Sequence, residues 1–421
     1  MSSGLLSYDE AAAMVAAHAA KLRCIRPAER VLLGQAQGRV LAEPLLADTD
    51  QPPFARSTRD GYACRAAEAS AHVQLALAGA TRAGQPPAGP LPPGAAWEIM
   101  TGAPVPSGAD AVMMLEHVET ANGHVRLLPP RRLAAGENIV AQGAQGRAGD
   151  EVLAAGAVMG FAQLALAASC GYAQVDVFPR PRVAILSTGD EIVPVESVPS
   201  AGQIRNSNGP MLAALVAAAG GDPWVLPIAG DTVDALDAAL VQAAEADLLL
   251  ITGGVSAGKF DLVEPALLRR GARFHFTGVR MQPGKPVVFG EISRSGTELD
   301  QNQHPAQRCC LGLPGNPVSS AVTFLLFAAP VLRALSGCLD RGPRFALARL
   351  AAEVKGKAGL TRFLPALCTF VAKTGELPEV ARVTWRGSGD IGAMARSNCF
   401  LVLPEEAEVL RAGEIVRILL A

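Results

Sequence analysis

The sequence predicts a multidomain α/β protein, in which a parallel-sheet domain is flanked by β-rich segments. Three observations carry this. At 421 residues the chain exceeds what one hydrophobic core supports, so two to four domains are expected. Between residues 182 and 334, short apolar runs alternate with helix-length segments, the pattern of an open parallel sheet with helices on both faces. In residues 52–156 and again beyond Cys338, the segments are short, alternating and broken by Pro and Gly. That pattern suits hairpins and small barrels.

Taken in order, residues 8–22 predict a helix, with Ser7 as N-cap and Glu10 as its capping-box partner three residues on. Segments 73–77 and 124–128 predict strands. A strand over 183–186 runs into Ser187-Thr-Gly-Asp-Glu191; then come a helix over 211–219, a strand over 224–228, a helix over 233–246 and a strand over 248–251. Residues 301–307 form a polar loop between strands. Asp340-Arg-Gly-Pro343 is a linker, and 380–385 and 399–403 are the clearest strands after it.

Half the residues are apolar, so a large core is available, and the formal charge is only −2. Without a global basic field, nucleic acid is excluded as the main partner. The start, Met-Ser-Ser-Gly-Leu-Leu, has no basic or apolar leader region, and no uninterrupted apolar stretch reaches membrane-spanning length. The eight cysteines form no C-x-x-C pair. Reduced thiols in a cytoplasmic protein, with no membrane partner, are therefore expected.

The richest chemistry lies in Asp247-Leu-Leu-Leu-Ile-Thr-Gly-Gly-Val-Ser-Ala-Gly-Lys-Phe-Asp261. Apolar residues 248–251 suit a strand covered on both faces. Gly253, Gly254 and Gly258 let the backbone approach a ligand. The N–H groups of such a loop make an oxyanion site, and Asp261 adds a carboxylate for hydrated Mg²⁺. Two further loops belong with it: Ser187-Thr-Gly-Asp-Glu191 and Gly312-Leu-Pro-Gly-Asn-Pro-Val-Ser319. In a doubly wound sheet all three sit at the strand carboxyl ends. Ordinary βα turns and helix caps use the same residue types. Met281-Gln-Pro-Gly-Lys-Pro286 is a rigid turn whose Lys285 suits either phosphate or solvent. Pro52-Pro-Phe-Ala-Arg-Ser-Thr-Arg-Asp-Gly-Tyr-Ala63 carries Arg56 and Arg59 beside an Asp60-Gly61 turn. Ile99-Met-Thr-Gly-Ala-Pro-Val-Pro-Ser-Gly-Ala-Asp-Ala-Val112 is a stiffened Gly-rich loop.

Asp60-Gly-Tyr-Ala, Met100-Thr-Gly-Ala-Pro-Val-Pro, Ser187-Thr-Gly-Asp-Glu, Gly253-Gly-Val-Ser-Ala-Gly, Pro283-Gly-Lys-Pro and Gly312-Leu-Pro-Gly-Asn-Pro-Val-Ser follow one another in this order. Gly387-Ser-Gly-Asp-Ile-Gly-Ala-Met-Ala-Arg-Ser-Asn398 and Val402-Leu-Pro404 come after them. Together they resemble the molybdopterin molybdenumtransferase (MoeA) family, relatives of the gephyrin E domain, over nearly the whole chain. The resemblance implies an elongated homodimer of four-domain subunits. It divides the chain into an N-terminal helix (1–27), a central domain (28–50 with 145–177), a β-rich insert (51–144), a MogA-like molybdopterin-binding α/β domain (178–335) and a small C-terminal β-barrel (338–421).

The implied reaction joins molybdenum from molybdate to adenylylated molybdopterin and hydrolyses the adenylate, releasing AMP, with Mg²⁺ required. The implied catalytic residues are Asp231, Asp261, Glu191 and Asp60, of which the first three hold the metal. Carried over as substrate-binding are Thr101, Ser187, Thr188, Gly189, Asp190, Gly253, Gly254, Ser256, Gly258, Lys285, Pro314, Gly315, Asn316 and Ser388. The active-site cleft is shared between subunits, with Asp60 and Thr101 facing the α/β domain of the other subunit. The molybdopterin adenylyltransferase and recipient molybdoenzymes are the implied partners. Apart from the resemblance, Asp231 suits a helix N-cap equally well.

The chain departs from the family's pattern where Gln282 replaces a frequent lysine. It departs again at Val140, Ala144 and Gln145, which stand where an arginine and an acidic pair are common. Arg147, Arg205 and Arg280 are candidates to supply the missing charge. These departures motivate an alternative, a non-catalytic molybdopterin carrier or scaffold. Adenylyl transfer to molybdopterin is a third reading, opposed by the full insert and barrel.

Overall fold

The structure, a computed structural model, describes residues 5–24, 26–254, 262–293, 307–369 and 375–421. The α/β sheet runs in the order Asp222–Val225, Arg182–Ser187, Leu248–Thr252, Gln307–Leu313, Val288–Ser293, Arg273–Phe276. The first four strands are parallel. The last two, for which the sequence reading names no strands, are antiparallel to their neighbours. Parallel neighbours need a long crossover. Between Phe276 and Val288 the chain instead forms the short strand Val279–Gln282 and the Pro-Gly turn.

Alternation along the strands buries both faces, as the apolar runs required. Val183, Ile185, Leu248, Leu250 and Leu311 pack toward Leu212, Val216 and the helix beginning at Pro317. Ala184, Leu186, Leu249, Ile251 and Cys310 pack on the opposite face against Leu236, Leu240, Val263 and Leu267. The helices are Asn208–Ala218, Val233–Gln242 and Val263–Arg269.

The Pro317–Leu335 helix is long and apolar enough to cross a membrane by length and composition, although Pro330 and Arg333 interrupt its apolar run. It is 83% buried, and Val318, Val322, Phe324, Phe327, Val331 and Leu332 belong to the main core. Its composition reflects a helix enclosed by protein on nearly every side.

The N-terminal helix, Tyr8–Lys21, has the predicted capping box. Ser7 N–H donates to Glu10 Oε2 at 2.7 Å, and Glu10 N–H donates to Ser7 Oγ at 3.2 Å. Tyr8, Ala11, Val15 and Ala19 form the buried stripe, and the Tyr8 ring meets Phe363 edge-on at 5.2 Å. Burial lowers the pKa of His18 near the end of this helix, opposed by the nearby Glu291 carboxylate.

The insert sheet has the order Ala111–Met114, Gly61–Cys64, Ala95–Ile99, Leu75–Thr81, His124–Leu127, Val118–Ala121. The strand expected over 73–77 starts two residues later, because Val73 N–H closes a turn on Ser70 C=O. Strand pairs Glu29–Leu32 with Gln174–Val177, and Leu45–Leu46 with Glu151–Leu153, enclose another core with helix Phe161–Ser169.

At the carboxyl end, Phe345–Leu350, Thr361–Thr369, Glu379–Arg382, Cys399–Leu403 and Ile415–Leu420 close into a barrel when Thr361–Thr369 pairs with Cys399–Leu403. The sheet continues beyond the barrel. Val279–Gln282 adds to Thr361–Thr369, and Leu6–Ser7 adds to Val279–Gln282. The barrel and the chain start are thus joined by backbone pairing through Val279–Gln282, a strand the chain forms between two strands of the α/β sheet. The eight cysteines are free thiols, all buried except the half-buried Cys24.

Candidate active site at the carboxyl rim of the parallel sheet

Ser187, Thr252 and Leu313 are aligned in register, so the three small-residue loops leave the sheet at one level. Beyond them lies a cavity of about 710 Å³, lined by Ser187, Thr188, Glu191, Arg205, Asn206, Ser207, Asn208, Thr252, Gly253, Gly254, Pro286, Pro314, Gly315, Asn316 and Pro317. The C-terminal segment closes one side with Gly389 and Ile391. Such a volume suits a small organic ligand.

Gly253 is required by conformation and by space. Its φ is +94°, and a Cβ would lie 2.5 Å from the Thr188 carbonyl oxygen. The first two loops touch there backbone to backbone. Asn208 Nδ2 ties the second loop to the third, donating to Thr252 Oγ1 at 2.8 Å and to Gly315 C=O at 2.7 Å. Asn206 Oδ1 accepts from Ser187 Oγ at 3.2 Å and from Gly209 N–H at 2.9 Å. Two buried polar atoms of the wall, Thr188 Oγ1 and Asn208 Oδ1, have no hydrogen-bond partner. Buried polar groups are ordinarily satisfied, so these atoms mark where a polar ligand would bond.

Of the residues carried over from sequence, Ser187, Thr188, Glu191, Gly253, Gly254, Pro314, Gly315 and Asn316 meet on this wall. Ser388 borders it, its C=O accepting from Val318 N–H at 3.0 Å. Gly189 and Asp190 line an adjoining hollow of about 600 Å³, which shares Ile192 and Asn206 with the main cavity. Asp231 is exposed beside that hollow, and its N–H donates to Asp190 Oδ1 at 3.0 Å. The N-cap of the following helix is Thr232, not Asp231, and Thr232 Oγ1 accepts from Ala235 N–H. Lys285 is exposed on its turn, next to the wall residue Pro286. Ser256, Gly258 and Asp261 lie outside the described residues, as does most of the 301–307 loop.

Among the described residues, Glu191 and Asp231 belong to no three-ligand cluster. Carboxylate oxygens are nevertheless the hard donors Mg²⁺ takes, and Glu191 stands on the cavity wall, so the donor chemistry fits that ion. Of the candidate compensating cations, Arg205 stands on the same wall, its Nε donating to Ser197 C=O at 2.9 Å. Arg280 does not; it pairs with Glu405 at 3.0 Å. Val140 is cross-strand to Arg56, so an arginine backbone pairs with one of the departures. Asn206 and Asn208 were missed as site residues. Their signal was the run Gln203-Ile-Arg-Asn-Ser-Asn-Gly-Pro210, unusually polar for the approach to an apolar helix.

Asp60 and Thr101 do not line the cavity, but the insert brings them together. Asp60 Oδ1 accepts from Thr101 N–H at 2.6 Å and from Thr101 Oγ1 at 2.7 Å. The backbone bond, then the hydroxyl bond, hold the carboxyl below its usual pKa. A lowered folded-state pKa means the pair stabilises the protein above the unfolded value, about pH 4, and loses that effect as pH falls through the folded value. Thr101→Val is expected to move the Asp60 pKa upward, measured by carboxyl NMR titration. An unchanged titration would show that the hydroxyl bond does not matter.

The comparisons with known proteins agree with this architecture. Residues 184–334 match the probable molybdopterin binding domain. The class is therefore a multidomain protein built around a molybdopterin-binding α/β domain. Residues 6–171 match the MoeA N-terminal region (domain I and II), and residues 347–421 match the MoeA C-terminal region (domain IV). A molybdopterin molybdenumtransferase of Nostoc sp. is 34% identical over 95% of this chain and 90% of its own. One from Haemophilus influenzae is 33% identical over 93% of each. A solved MoeA structure from Pyrococcus horikoshii aligns over 99% of this chain and 100% of its own at 27% identity, with a TM-score of 0.76. The chain belongs to the molybdopterin molybdenumtransferase (MoeA) family, enzymes of molybdenum cofactor biosynthesis.

Proposed function

We propose that this chain moves molybdenum from molybdate onto adenylylated molybdopterin and hydrolyses the adenylate, releasing AMP. The carrying observation is the polar cavity at the carboxyl rim, with unpartnered Thr188 Oγ1 and Asn208 Oδ1 in its wall. Backbone N–H groups of the rim loops bind the phosphates. Ser187, Thr188, Gly189, Asp190, Gly253, Gly254, Ser256, Gly258, Pro314, Gly315, Asn316 and Ser388 hold the substrate, and Lys285 adds a cation. Glu191, Asp231 and Asp261 would hold Mg²⁺, which offsets phosphate charge. The same carboxylates orient the attacking water; it adds to the adenylate phosphorus, and the bond to the pterin phosphate breaks.

Asp60 and Thr101 act on the cavity of a second copy, which makes the working unit a homodimer. Their position outside this chain's own cavity supports that arrangement. The domain divisions given above and a cytoplasmic location belong to the same reading. The carrier alternative draws support from Arg280, whose pairing with Glu405 removes one candidate for the missing charge.

The test mixes the protein with adenylylated molybdopterin, Mg²⁺ and molybdate. It measures AMP release together with activation of a cofactor-free molybdoenzyme. Both should appear and depend on molybdate. Asp261→Asn should lower AMP release on the order of a hundredfold or more, with an unchanged circular dichroism spectrum. Undiminished turnover in that variant sinks the metal assignment. Tight pterin binding by the wild-type chain, with no AMP release, establishes the carrier instead.

A further inference from the structure

The opposite end of the sheet carries a second group of donors. His18 on the N-terminal helix, His275 on Arg273–Phe276 and Glu291 on Val288–Ser293 each offer a ligand atom, all within 4.8 Å of one another. Glu291 pairs in register with Cys309, near the start of the Gln307–Leu313 strand. The group therefore sits toward the amino ends of the parallel strands, away from the cavity described above.

From these residues we infer a binding site for a divalent late first-row transition metal such as Zn²⁺. It is held by His18 Nε2, His275 Nε2 and the Glu291 carboxylate, and it clamps the N-terminal helix to the edge of the α/β sheet.

Four observations lead there. Glu291 Oε1 is 3.6 Å from His18 Nε2, and Glu291 Oε2 is 3.6 Å from His275 Nε2. Those separations are too long for hydrogen bonds. Two ligands about 2.0–2.2 Å from one tetrahedral ion stand roughly 3.3–3.6 Å apart; each histidine stands at that distance from one carboxylate oxygen, and the three ligand atoms, within 4.8 Å of one another, need only a small side-chain adjustment to close on one ion. Second, His275 Nε2 is buried and has no hydrogen-bond partner, an arrangement that costs stability unless something fills it.

Third, the register with Val288–Ser293 shifts between Phe274 and Phe276. That irregularity falls at His275, and bulges re-aim side chains beside functional sites. Fourth, the surroundings fit a metal. The Phe289 ring lies 5.2 Å from the His18 ring and 5.0 Å from the His275 ring. Glu291 and Cys309 also line a cavity of about 270 Å³.

Two imidazoles and a carboxylate are a donor set for Zn²⁺, Co²⁺, Ni²⁺ or Fe²⁺ rather than for Mg²⁺. Cys309 Sγ and His18 Nε2 share a hydrogen bond at 3.4 Å, which metal binding at His18 would replace. Arg273 Nη2 contacts Glu291 Oε2 at 3.4 Å, but its side chain is 74% exposed and swings into water at little cost.

This inference stands apart from the proposed reaction, and its test does not use turnover. The full-length protein is stripped with a chelator and titrated with Zn²⁺ against a chromogenic competitor, with metal content measured after gel filtration. One Zn²⁺ per chain is expected, with a thermal midpoint that rises with free Zn²⁺. His18→Gln, His275→Gln and Glu291→Gln should each weaken binding by more than the roughly 10–100-fold that loss of an outer-shell partner costs. The exposed His72→Gln should change nothing. Co²⁺ on the wild-type protein should show visible ligand-field bands of a low-coordinate nitrogen–oxygen site, a readout independent of whether any variant folds. Failure to take up Zn²⁺, uptake unaffected by all three substitutions, or Co²⁺ bands of a fully hydrated ion would each overturn the site.

Discussion

Gly253→Ala is expected to lose molybdopterin binding on the order of a hundredfold while the insert and barrel stay folded. The residue holds φ at +94°, where an alanine is strained, and the new Cβ would stand 2.5 Å from the Thr188 carbonyl oxygen. Neither side of that contact is a flexible side-chain end. One of the two rim loops must move, and the cavity wall moves with it. Backbone strain of this kind costs about 1–3 kcal/mol, so a urea titration should show a loss in that range. Gly254 offers the contrast. Its φ of +60° lies in the left-handed region, and a Cβ there meets a methyl of Val263, Cγ2 at 2.8 Å, rather than backbone. Gly254→Ala should therefore be the milder change in both stability and binding. Equal binding by Gly253→Ala and wild type, measured by calorimetry with molybdopterin, would remove this contact from the account of the site.

Much of the framework was legible because local physics decides it. The Ser7–Glu10 capping box needs only four consecutive residues to form, and the 248–251 run could be placed because both faces of its strand are buried. The Cys399–Leu403 strand was found to the residue for the same reason, every position along it being buried. Register and partnership were less legible, since they depend on distant segments. Nothing near 279–282 signals that this strand leaves the α/β sheet to pair with residues 361–362 of the barrel. The antiparallel edge follows from that excursion and was hidden with it.

Within the site, glycine-rich loops after apolar runs were conspicuous, and eight of the carried-over residues meet on one wall. The asparagines that join those loops were not. Asn208 acts across 44 and 107 positions of sequence, to Thr252 and Gly315, and no local pattern reports such reach. Asp231 shows the opposite failure. Its position just before a helix suggested a cap, but Thr232 one residue later takes that role, leaving the carboxylate exposed for another use.

Asn208→Asp should be the most damaging single-atom exchange in the rim. Asn208 is 8% exposed, and its amide nitrogen serves two acceptors at once, Thr252 Oγ1 and Gly315 C=O. A carboxylate has no donor. It would set oxygen against the Gly315 carbonyl and bury a charge with no cation among those contacts. Asn208→Ala leaves acceptors without partners, which costs about 1–3 kcal/mol. The aspartate adds an uncompensated buried charge, and losses of about 3–5 kcal/mol are typical when such a charge lacks its partner. The N-terminus of helix Asn208–Ala218 favours a negative charge, but by only about 0.3–1 kcal/mol, too little to reverse the order. Burial raises an acid's folded-state pKa above its unfolded value. The penalty is then full at neutral pH and shrinks as pH falls through the folded pKa, because the protonated acid regains one donor. Chemical unfolding across pH 5–8 should show Asn208→Asp recovering stability on acidification while Asn208→Ala stays flat relative to wild type. If the aspartate variant is as stable as wild type at pH 8, Asn208 does not hold the second and third loops together, and the cavity's shape must come from the glycines alone.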